Sequence, residues 1–385
     1  MSGPLAGVRV LEIAGLGAAP YGCMMLADMG AEVVRVDRLG GSPGTPENSP
    51  LLRNRRSVAI NLKAPAGRDL LLAMVERADV LVEAFRPGVA ERLGIGPDIC
   101  LGRNARLVYA RMTGWGQSGP LAQSAGHDLN YIGLVGLLHQ IGPTGGRPVV
   151  PLNVIGDFGG GGLLLAFGVA CALFEVRRFG RGQVVDAAMI DGALSFMAMF
   201  FGYRELGQFN DRTGCHFLGG GAHYYDVYET QDGRALAVAP IEPRFYRQFL
   251  QKLGLSEARW LAAAYPALDA RTTGHDWPAL KAELRAIFKT RTREAWCELF
   301  ADSDVCVTPV LTLAEAARHP HNVERSAFIE VAGVQQNAPA PRFSRTRPQP
   351  PQPPPTTGAD TAAVMRDWNL DPVLIERAAG AGALG

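Results

Sequence analysis

The sequence predicts an α/β fold whose large domain is built on a mostly parallel, doubly wound sheet. Short apolar segments typical of strands alternate with helical segments over residues 8–112, as they do in βαβ units. After residue 112 the pattern changes to Gly-rich loops followed by longer apolar helices, which indicates a second structural region. A chain of 385 residues is too long for one simple core, so we expect one large and one smaller domain.

The elements of the predicted sheet follow one another from the start of the chain. Strands are predicted over 8–13, 32–36, 58–62, 80–83 and 107–112. Pro20 suits the first position of a helix over 20–29, since its missing N–H costs nothing there. A helix after the third strand carries an apolar face formed by Leu70, Leu71, Met74, Val75 and Ala78.

The remaining elements are mainly helical. Helices are predicted over 160–178 and 187–206, a mostly helical region over 244–300, a strand over 305–310 and an extended Pro-rich stretch over 338–355. A hairpin of 224–228 and 235–239 turns at Gln231-Asp-Gly233. Thr312 and Glu315 form a capping box. The longest apolar stretch, 158–174, contains five glycines, which favours a buried helix over a membrane span.

Composition excludes several functional classes. The formal net charge is +1, so no bulk field points to nucleic acid or a membrane. The six cysteines form no C-x-x-C pair and no zinc spacing, which favours a reduced, cytoplasmic protein. The first residues lack the basic and apolar regions of a signal peptide, so none is expected. His319 and His321 could bind a metal, but no third ligand is near in sequence, and no metal is predicted.

A glycine-rich turn follows the first strand. Gly15 and Gly17, with Asp37 twenty residues later, approach the dinucleotide-binding pattern. Pro20 stands where the third glycine should be. We therefore interpret the segment as an ordinary strand-to-helix turn rather than a nicotinamide site.

Basic residues cluster near the predicted strand ends. The set comprises Arg35, Arg38, Arg53, Arg55, Arg56, Lys63, Arg86 and Arg92. Open α/β sheets bind ligands at the carboxyl ends of their strands, and guanidinium groups bind phosphate well. Two interpretations stay open at this point: a phosphate-binding set, or a solvated basic surface.

Three residues are candidates for acid–base chemistry. His127 follows a Gly-rich loop, Asp157 precedes a run of four glycines, and Glu242 follows a predicted strand. A carboxylate such as Glu242 could orient a histidine. Each has a structural alternative: a packed histidine, a helix cap at Asp157, and a surface loop position at Glu242. The residues alone do not decide between these alternatives.

Several segments together resemble the class III CoA-transferase superfamily, in its α-methylacyl-CoA racemase branch. They are Pro4–Glu12, Asp28–Val33, Asn54–Ser57, Phe85–Val89, Thr113–Pro120, Gly126–Tyr131, Gly156-Asp157 and Gly182–Asp186. The resemblance runs from residue 4 to about residue 345. One departure is Ala84, where the family often has Asn before its Tyr/Phe-Arg-Pro-Gly motif.

The resemblance implies a Rossmann-like large domain, a smaller α+β domain and an interlocked homodimer. The implied boundaries are a large domain over 1–187 and 330–360, a linker helix over 188–222, a small domain over 223–300, a return linker over 301–329 and a C-terminal tail over 361–385. It also implies a site between the large domain of one chain and the small domain of the other.

The resemblance further implies which residues act. His127 and Asp157 would move the proton, and Glu242 would support His127. CoA and the enolate oxygen would be bound by Arg38, Ala59, Ile60, Asn61, Lys63, Glu83, Phe85, Arg86, Arg92, Gly126, Asp128, Asn130 and Tyr131. Backbone N–H groups around Asp128 and Tyr131 would face the enolate oxygen. No cofactor is expected, because CoA is part of the substrate.

The pair of His127 and Asp157 discriminates between activities. Transferases of the superfamily keep the aspartate as a nucleophile that forms an acyl anhydride, and they usually lack the histidine. The chain has both, which favours a racemase that interconverts (R)- and (S)-2-methylacyl-CoA by 1,1-proton transfer. A class III CoA transferase is the alternative enzyme, and a plain CoA-binding protein is the alternative outside enzymes.

Overall fold

A six-stranded, wholly parallel sheet forms the centre of the larger of two structural units. The computed structural model describes residues 2–41, 46, 48–209, 211–263 and 276–385. Unit 1 comprises Met1–Val135, Leu152–Phe196 and Val323–Gly385, and unit 2 comprises Gly136–Pro151 and Met197–Asn322. The strands of the sheet are β1 (Arg9–Ile13), β2 (Glu32–Asp37), β3 (Arg55–Ala59), β4 (Val80–Glu83), β5 (Val108–Thr113) and β6 (Gln183–Ala188). Their order is β3-β2-β1-β4-β5-β6, the doubly wound order, and it confirms the predicted α/β fold.

Helices cover both faces of this sheet. Those of unit 1 are α1 (Ala18–Asp28), α2 (Pro65–Val75), α3 (Val89–Arg92), α4 (Pro97–Arg103), α5 (Asp128–Leu134), a π-helical segment (Val154–Leu163), α6 (Leu164–Phe179), α7 (Met189–Ser195), α15 (Thr361–Asp367) and α16 (Pro372–Gly380). Successive strand residues belong to two different hydrophobic cores, one on each face of the sheet. Val10 packs with α1 and α6, whereas Leu11 packs with α2 and α15. Strands buried on both faces are nearly continuously apolar, which is why they could be located from the sequence.

The third strand was predicted three residues too late. It was expected over 58–62 and lies at Arg55–Ala59. Arg55 is buried because its Nε donates to Glu12 Oε2 at 2.9 Å. A charged residue with a buried partner can occupy a core position that apolar patterning assigns to solvent. The edge strand β6 was not predicted at all, because the sequence analysis treated 182–186 only as a motif.

The apolar run after Asp157 forms two kinds of helix. The π segment passes directly into α6, so the predicted helix over 160–178 begins six residues earlier. Glycine is required in the π segment because a Cβ at Gly160 would lie 2.7 Å from Ala193 N, and one at Gly162 would overlap Ala18 O. Among the described residues, only the run Val154–Phe179 is apolar and long enough to cross a membrane, and 44% of its most apolar window is buried.

The last 25 residues belong to unit 1. Residues 361–385, which were expected to form a C-terminal tail, instead contain helices α15 and α16, with Trp368 and Ala378 buried in the core beneath α2. Leu384 pairs with Ile60 in an isolated antiparallel bridge. A hairpin of β10 (Phe328–Val331) and β11 (Val334–Asn337), which was not predicted, precedes the Pro-rich stretch.

Unit 2 contains a three-stranded antiparallel sheet and an aromatic core. Its elements are α8 (Ala198–Glu205), β7 (Asp226–Glu229), β8 (Ala235–Val238), α9 (Pro243–Leu253), α10 (Ala258–Ala262), α11 (Trp277–Phe288), α12 (Arg293–Phe300), β9 (Val307–Val310), α13 (Leu313–Ala316) and, at its boundary, α14 (Pro320–Glu324). The strand order is β7-β8-β9, with the predicted hairpin displaced by at most two residues. The predicted capping box of Thr312 and Glu315 is confirmed.

The division into units differs in detail from the implied domains. Residues 136–151 belong to unit 2, although they were placed in the large domain. The predicted single helix over 187–206 is instead the end of β6 followed by α7 and α8, and the unit boundary after Phe196 falls between those two helices. Residues 264–275 of the predicted helical region lie outside the described residues.

Candidate active site

A cavity of about 610 Å³ opens at the carboxyl ends of the parallel strands. The segments that follow β1, β2, β4 and β5 line it, and so does the loop that leads into α5. The lining includes Gly15, Phe85, Arg86, Trp115, His127 and Tyr131. The crevice between β1 and β4, where the chain changes direction across the sheet, is the usual ligand site of this topology.

A second cleft of about 480 Å³ adjoins the first and shares Ala14, Arg38 and Phe85 with it. Ile60, Asn61 and Lys63 line its other end. Arg38 and Lys63 are exposed cations, whereas Ile60 is buried. The two cavities therefore share part of their lining, with Lys63 in one and His127 in the other.

Other predicted contact residues do not line these cavities. Ala59 is buried in β3, where its carbonyl accepts from Gly385 N at 3.1 Å. Glu83 is fully buried and accepts from Arg111 Nε at 2.8 Å and from Phe85 N at 2.7 Å. Glu83 thus holds the loop after β4 in place. Arg92 is exposed at the end of α3.

His127 stands at the N-terminus of α5 and is exposed to the cavity. Its N–H donates to Asn130 Oδ1 at 3.0 Å. Tyr131, one turn into the helix, donates its hydroxyl to Gly126 O at 2.5 Å and meets Trp115 edge-to-face with ring centroids 4.8 Å apart. These contacts fix the turn that carries His127.

Gly114 offers a test of this packing, because a Cβ there would overlap the ring and hydroxyl of Tyr131. We expect Gly114→Ala to displace Tyr131, to destabilise the fold by about 1–3 kcal/mol, as overpacking does, and to lower activity. The free energy of unfolding in urea measures the effect. Gly102→Ala is the matched control, since a Cβ at Gly102 meets nothing within 4 Å. Equal stabilities of the two variants would contradict the packing role.

Asp157 is half-buried in the first turn of the π segment. Its Oδ2 accepts from Asn153 Nδ2 at 3.0 Å, and the same oxygen lies 3.8 Å from where a Cβ on Gly17 would stand. Asn153, not Asp157, occupies the cap position, so the structural alternative of a helix cap does not describe Asp157. Burial is the main cause that raises the pKa of Asp157; Asn153 lowers it, the Asp128 charge raises it and His127 lowers it.

Asp128 connects the segment that carries His127 with the segment that carries Asp157. Its Oδ2 accepts from Gly156 N at 2.5 Å and from Asp157 N at 2.8 Å. The residue next to His127 is therefore bonded to the backbone of Asp157. Burial, and then the charges of Asp157 and Asp128, raise the pKa of Tyr131 to about 12, which also indicates that these groups are neighbours.

The expected enolate-binding N–H groups are only partly available. The Asp128 N–H opens α5, so no carbonyl of its own helix can accept it. The Tyr131 N–H, in contrast, donates to His127 O at 3.3 Å. The prediction for the backbone of Tyr131 is therefore wrong, because Tyr131 lies beyond the first three N–H groups of the helix.

Asn153 was missed by the sequence analysis. It lies four residues before Asp157, and this spacing places two side chains on the same helical face. An amide at that distance from a candidate carboxylate was the signal that could have identified it. The π-helical backbone could not be anticipated from the sequence pattern.

The phosphate-binding interpretation is wrong for four of the predicted cations. Arg53 is fully buried against Asp28, and Arg55 is bound to Glu12. Arg35 Nη1 donates to the same Glu12 at 2.8 Å. Arg56, which is less buried, contacts Glu32 and Asp367. These arginines lie within or before strands rather than at the carboxyl ends. Carboxylates neutralise the charges of Arg35, Arg53 and Arg55 inside the protein and that of the partly exposed Arg56 nearer its surface.

The carboxylate of Asp37 is also engaged in hydrogen bonds within the protein. Its carboxylate accepts from Arg35 Nε at 3.0 Å and from Ser57 Oγ at 2.8 Å. In a dinucleotide site this position would bind ribose. Both oxygens are engaged by protein groups, in agreement with the interpretation of Gly15-x-Gly17 as a strand-to-helix turn.

Glu242 belongs to unit 2, where it is exposed and precedes α9. His319 and His321 also belong to unit 2. Within the described ranges, no group of three or more His, Cys, Asp or Glu side chains is arranged to hold a metal ion.

Comparison with known proteins gives three findings. The sequence pattern of CoA-transferase family III matches residues 5–361. Proteins named alpha-methylacyl-CoA racemase are 44% identical in Mus musculus, covering 95% of this chain and 93% of that protein, and 42% identical in Homo sapiens, covering 84% and 82%. The crystal structure of Rv3272 from M. tuberculosis matches with a TM-score of 0.78 at 26% identity, covering 94% and 98%. These similarities extend over nearly the whole chain.

Proposed function

The chain belongs to CoA-transferase family III, and from its 42–44% identity to proteins named alpha-methylacyl-CoA racemase we propose that it is a racemase of 2-methylacyl-CoA thioesters. One observation carries the proposal. His127 lines the cavity, and the carboxylate of its neighbour Asp128 binds the backbone of Asp157, which does not itself line the cavity but belongs to the adjoining π segment. Two proton-transfer groups of different chemistry on adjoining segments suit the removal of a proton from one face of a carbon and its return to the other.

CoA is proposed to lie along the two cavities. The exposed cations Arg38, Lys63 and Arg86 line them and can bind phosphate oxygens. Phe85 lies where the cavities meet and offers an apolar surface for the adenine or pantetheine part. The thioester end would then reach His127.

The proton transfer balances without a second substrate. With one epimer, neutral His127 takes the α-proton, and an enolate forms. Protonated Asp157 then delivers its proton to the opposite face of the α-carbon. The opposite epimer reacts in the reverse direction, with Asp157 ionised and His127 protonated at the start. The raised pKa of Asp157 suits a carboxyl that must carry a proton for half of the catalytic cycle.

The enolate oxygen needs a hydrogen-bond donor. The Asp128 N–H at the start of α5 is proposed for that role, since helix N-termini favour negative charge. Glu242 is proposed to reach His127 from a second copy of the chain and to support its protonated form. No separate cofactor enters this scheme. We further propose a reducing, cytoplasmic environment, which suits the six unpaired cysteines.

The experiment that tests the function follows a single epimer of a 2-methylacyl-CoA incubated with the enzyme in D₂O. A racemase incorporates deuterium at the α-carbon and destroys optical purity, with no added carboxylic acid. A plain CoA-binding protein would leave the substrate unchanged, and that result would reject both enzymatic functions.

CoA transfer is the second candidate, because a carboxylate such as Asp157 can also act as the nucleophile that forms an acyl anhydride. In that reaction the carboxylate attacks the thioester and CoA leaves as its thiolate. Hydroxylamine would trap the acyl group on Asp157. An adduct without α-deuteration would establish the transferase in place of the racemase.

We also propose that two copies of the chain form a homodimer through the exposed face of α6. Leu165, Val169 and Ala172 are buried against the sheet, whereas Phe167 and Phe174 are each more than 60% exposed. Leu163, one turn before Phe167, is 47% exposed as well, and a patch of exposed apolar side chains marks a contact surface. A second copy of the chain is the proposed occupant, in accord with the implied family architecture.

Sedimentation equilibrium tests this proposal. We expect twice the chain mass for the wild type and the single-chain mass for Phe167→Glu/Phe174→Glu, since two buried carboxylates would disfavour the contact. Val373→Glu, at an exposed position of α16, serves as the control and should remain dimeric. A monomeric wild type at micromolar concentration would reject the dimer. Cosedimentation with lipid vesicles would instead identify the face as a membrane contact.

A further inference from the structure

The carboxylate of Asp128 is buried beside the candidate site. Only 3% of the residue is exposed. Its Oδ2 accepts two backbone N–H groups, and its Oδ1 has no hydrogen-bond partner among the described residues. A buried carboxylate with an unpartnered oxygen costs free energy, so its presence beside two proton-transfer groups calls for a functional explanation.

The two bonds of Oδ2 fix the start of the π segment. They bind Gly156 N and Asp157 N, which are consecutive groups at the residue that carries the candidate acid. Gly156 admits no side chain, because a Cβ there would lie 2.9 Å from Asp128 Oδ2. Any movement of Asp128 would therefore move the backbone of Asp157.

The same carboxylate places a negative charge beside Asp157. The Asp128 charge raises the pKa of Asp157, whereas His127 lowers it. Tyr131 is the third titratable group of α5 near Asp157. Four other groups lie on elements packed against the π segment. Tyr21 on α1 packs its ring against that of Phe158, with centroids 4.9 Å apart and the planes tilted by 30°, and Asp191 on α7 is exposed. Arg111 on β5 is paired with Glu83 and Glu91, and Asp186 on β6 accepts from Gln117 N. Asp128 is thus the anion placed to act on Asp157.

We propose that Asp128 is a positioning residue whose buried carboxylate anchors the backbone of Asp157 and whose charge adds to the effect of burial in favouring the protonated form of the Asp157 side chain. The catalytic meaning of this role rests on the proposed racemase function. The placement and the charge effect can be tested without it.

The test measures the titration of Asp157 directly. Aspartate is labelled with ¹³C at its carboxyl carbon in the full-length protein, and the Asp157 signal is assigned by its loss in Asp157→Asn. In the wild type, Asp157 should titrate above the ordinary aspartate value. A midpoint at or below that value would overturn the proposal without any Asp128 variant.

Asp128→Asn supplies the second arm. The asparagine keeps a carbonyl oxygen for Gly156 N and Asp157 N but removes the charge, so the Asp157 midpoint should fall by on the order of half a pH unit or more. Asp98→Asn is the control; Asp98 is an exposed carboxylate in the first turn of α4, and its loss should leave the midpoint in place. An unchanged midpoint in folded Asp128→Asn protein would overturn the proposal.

A kinetic arm connects the residue to the reaction. The epimer to use is the one whose α-proton Asp157 removes, because Asp157 must be ionised for that reaction and so sets the acidic limb of its kcat/KM profile. In Asp128→Asn, this limb should move to lower pH by the same amount as the carboxyl titration. A limb that stays in place while the titration moves would contradict the catalytic role. Absence of exchange in the wild type would reject the racemase function, and the titration would still decide the charge effect.

Discussion

Replacement of His127 by alanine is expected to lower the rate of racemisation by about 10²–10⁴-fold, the usual contribution of a general acid–base group. His127 is exposed to the cavity at the start of α5, and its neighbour Asp128 is bonded to the backbone of Asp157. Without the imidazole, one face of the α-carbon loses its base. Optical rotation of a single-epimer substrate measures racemisation, and mass spectrometry in D₂O measures α-proton exchange.

Racemisation and α-proton exchange should be affected differently in this variant. Asp157 can still exchange the α-proton of the one epimer that faces it, so deuterium should enter that epimer slowly and without inversion. His321→Ala, at an exposed position in unit 2, is the control and should racemise normally. Undiminished racemisation by folded His127→Ala would remove His127 from the mechanism.

Replacement of Asp157 by asparagine is expected to lower racemisation by a similar factor of about 10²–10⁴. The amide is nearly isosteric, and its oxygen can still accept from Asn153 Nδ2, so the local fold should be kept. It can neither take nor give a proton at the required pH. Slow exchange without inversion should persist only for the epimer that faces His127, the opposite of the epimer that survives in His127→Ala.

This mirror-image pattern is the strongest discriminator between the two enzymatic functions. A transferase loses its nucleophile in Asp157→Asn and shows no epimer-selective exchange in either variant. If both variants retained exchange of the same epimer, the assignment of the two groups to opposite faces would be wrong. Thermal unfolding midpoints of both variants, compared with the wild type, show whether the fold has been kept.

The sheet could be predicted because its strands are buried on both faces. Strands β1, β2, β4 and β5 each contain two or three consecutive buried apolar residues, and each was located to within one residue at either end. The misplaced strand β3 begins with Arg55 and Arg56, whose partners Glu12 and Glu32 come from neighbouring strands. Local patterning cannot recognise a charge that is neutralised by a residue 43 positions away, as for Arg55, or 24 positions away, as for Arg56.

The candidate site was harder to predict for a related reason. His127 and Asp157 are thirty residues apart. The contact that brings their segments together is the hydrogen bond from the N–H of Asp157 to the side chain of Asp128, the residue after His127. Reasoning from residue types left His127 and Asp157 with structural alternatives, and only the resemblance to a family raised them together. The contact with Asn153 required the helix to be known, and the buried state of Asp128 required the packing of α5 against the π segment.

The glycine run of the π segment has a practical consequence for altering substrate range by directed evolution. Its backbone lies so close to α1 and α7 that Gly160 and Gly162 leave no volume for a larger side chain. Libraries that randomise Gly160 and Gly162 would consist mostly of unfolded proteins. Diversity is better introduced at Leu152 and Val154, which are 75% and 47% exposed and adjoin Asn153. New side chains at these two positions can be tolerated without disturbing the closely packed glycines that follow Asp157.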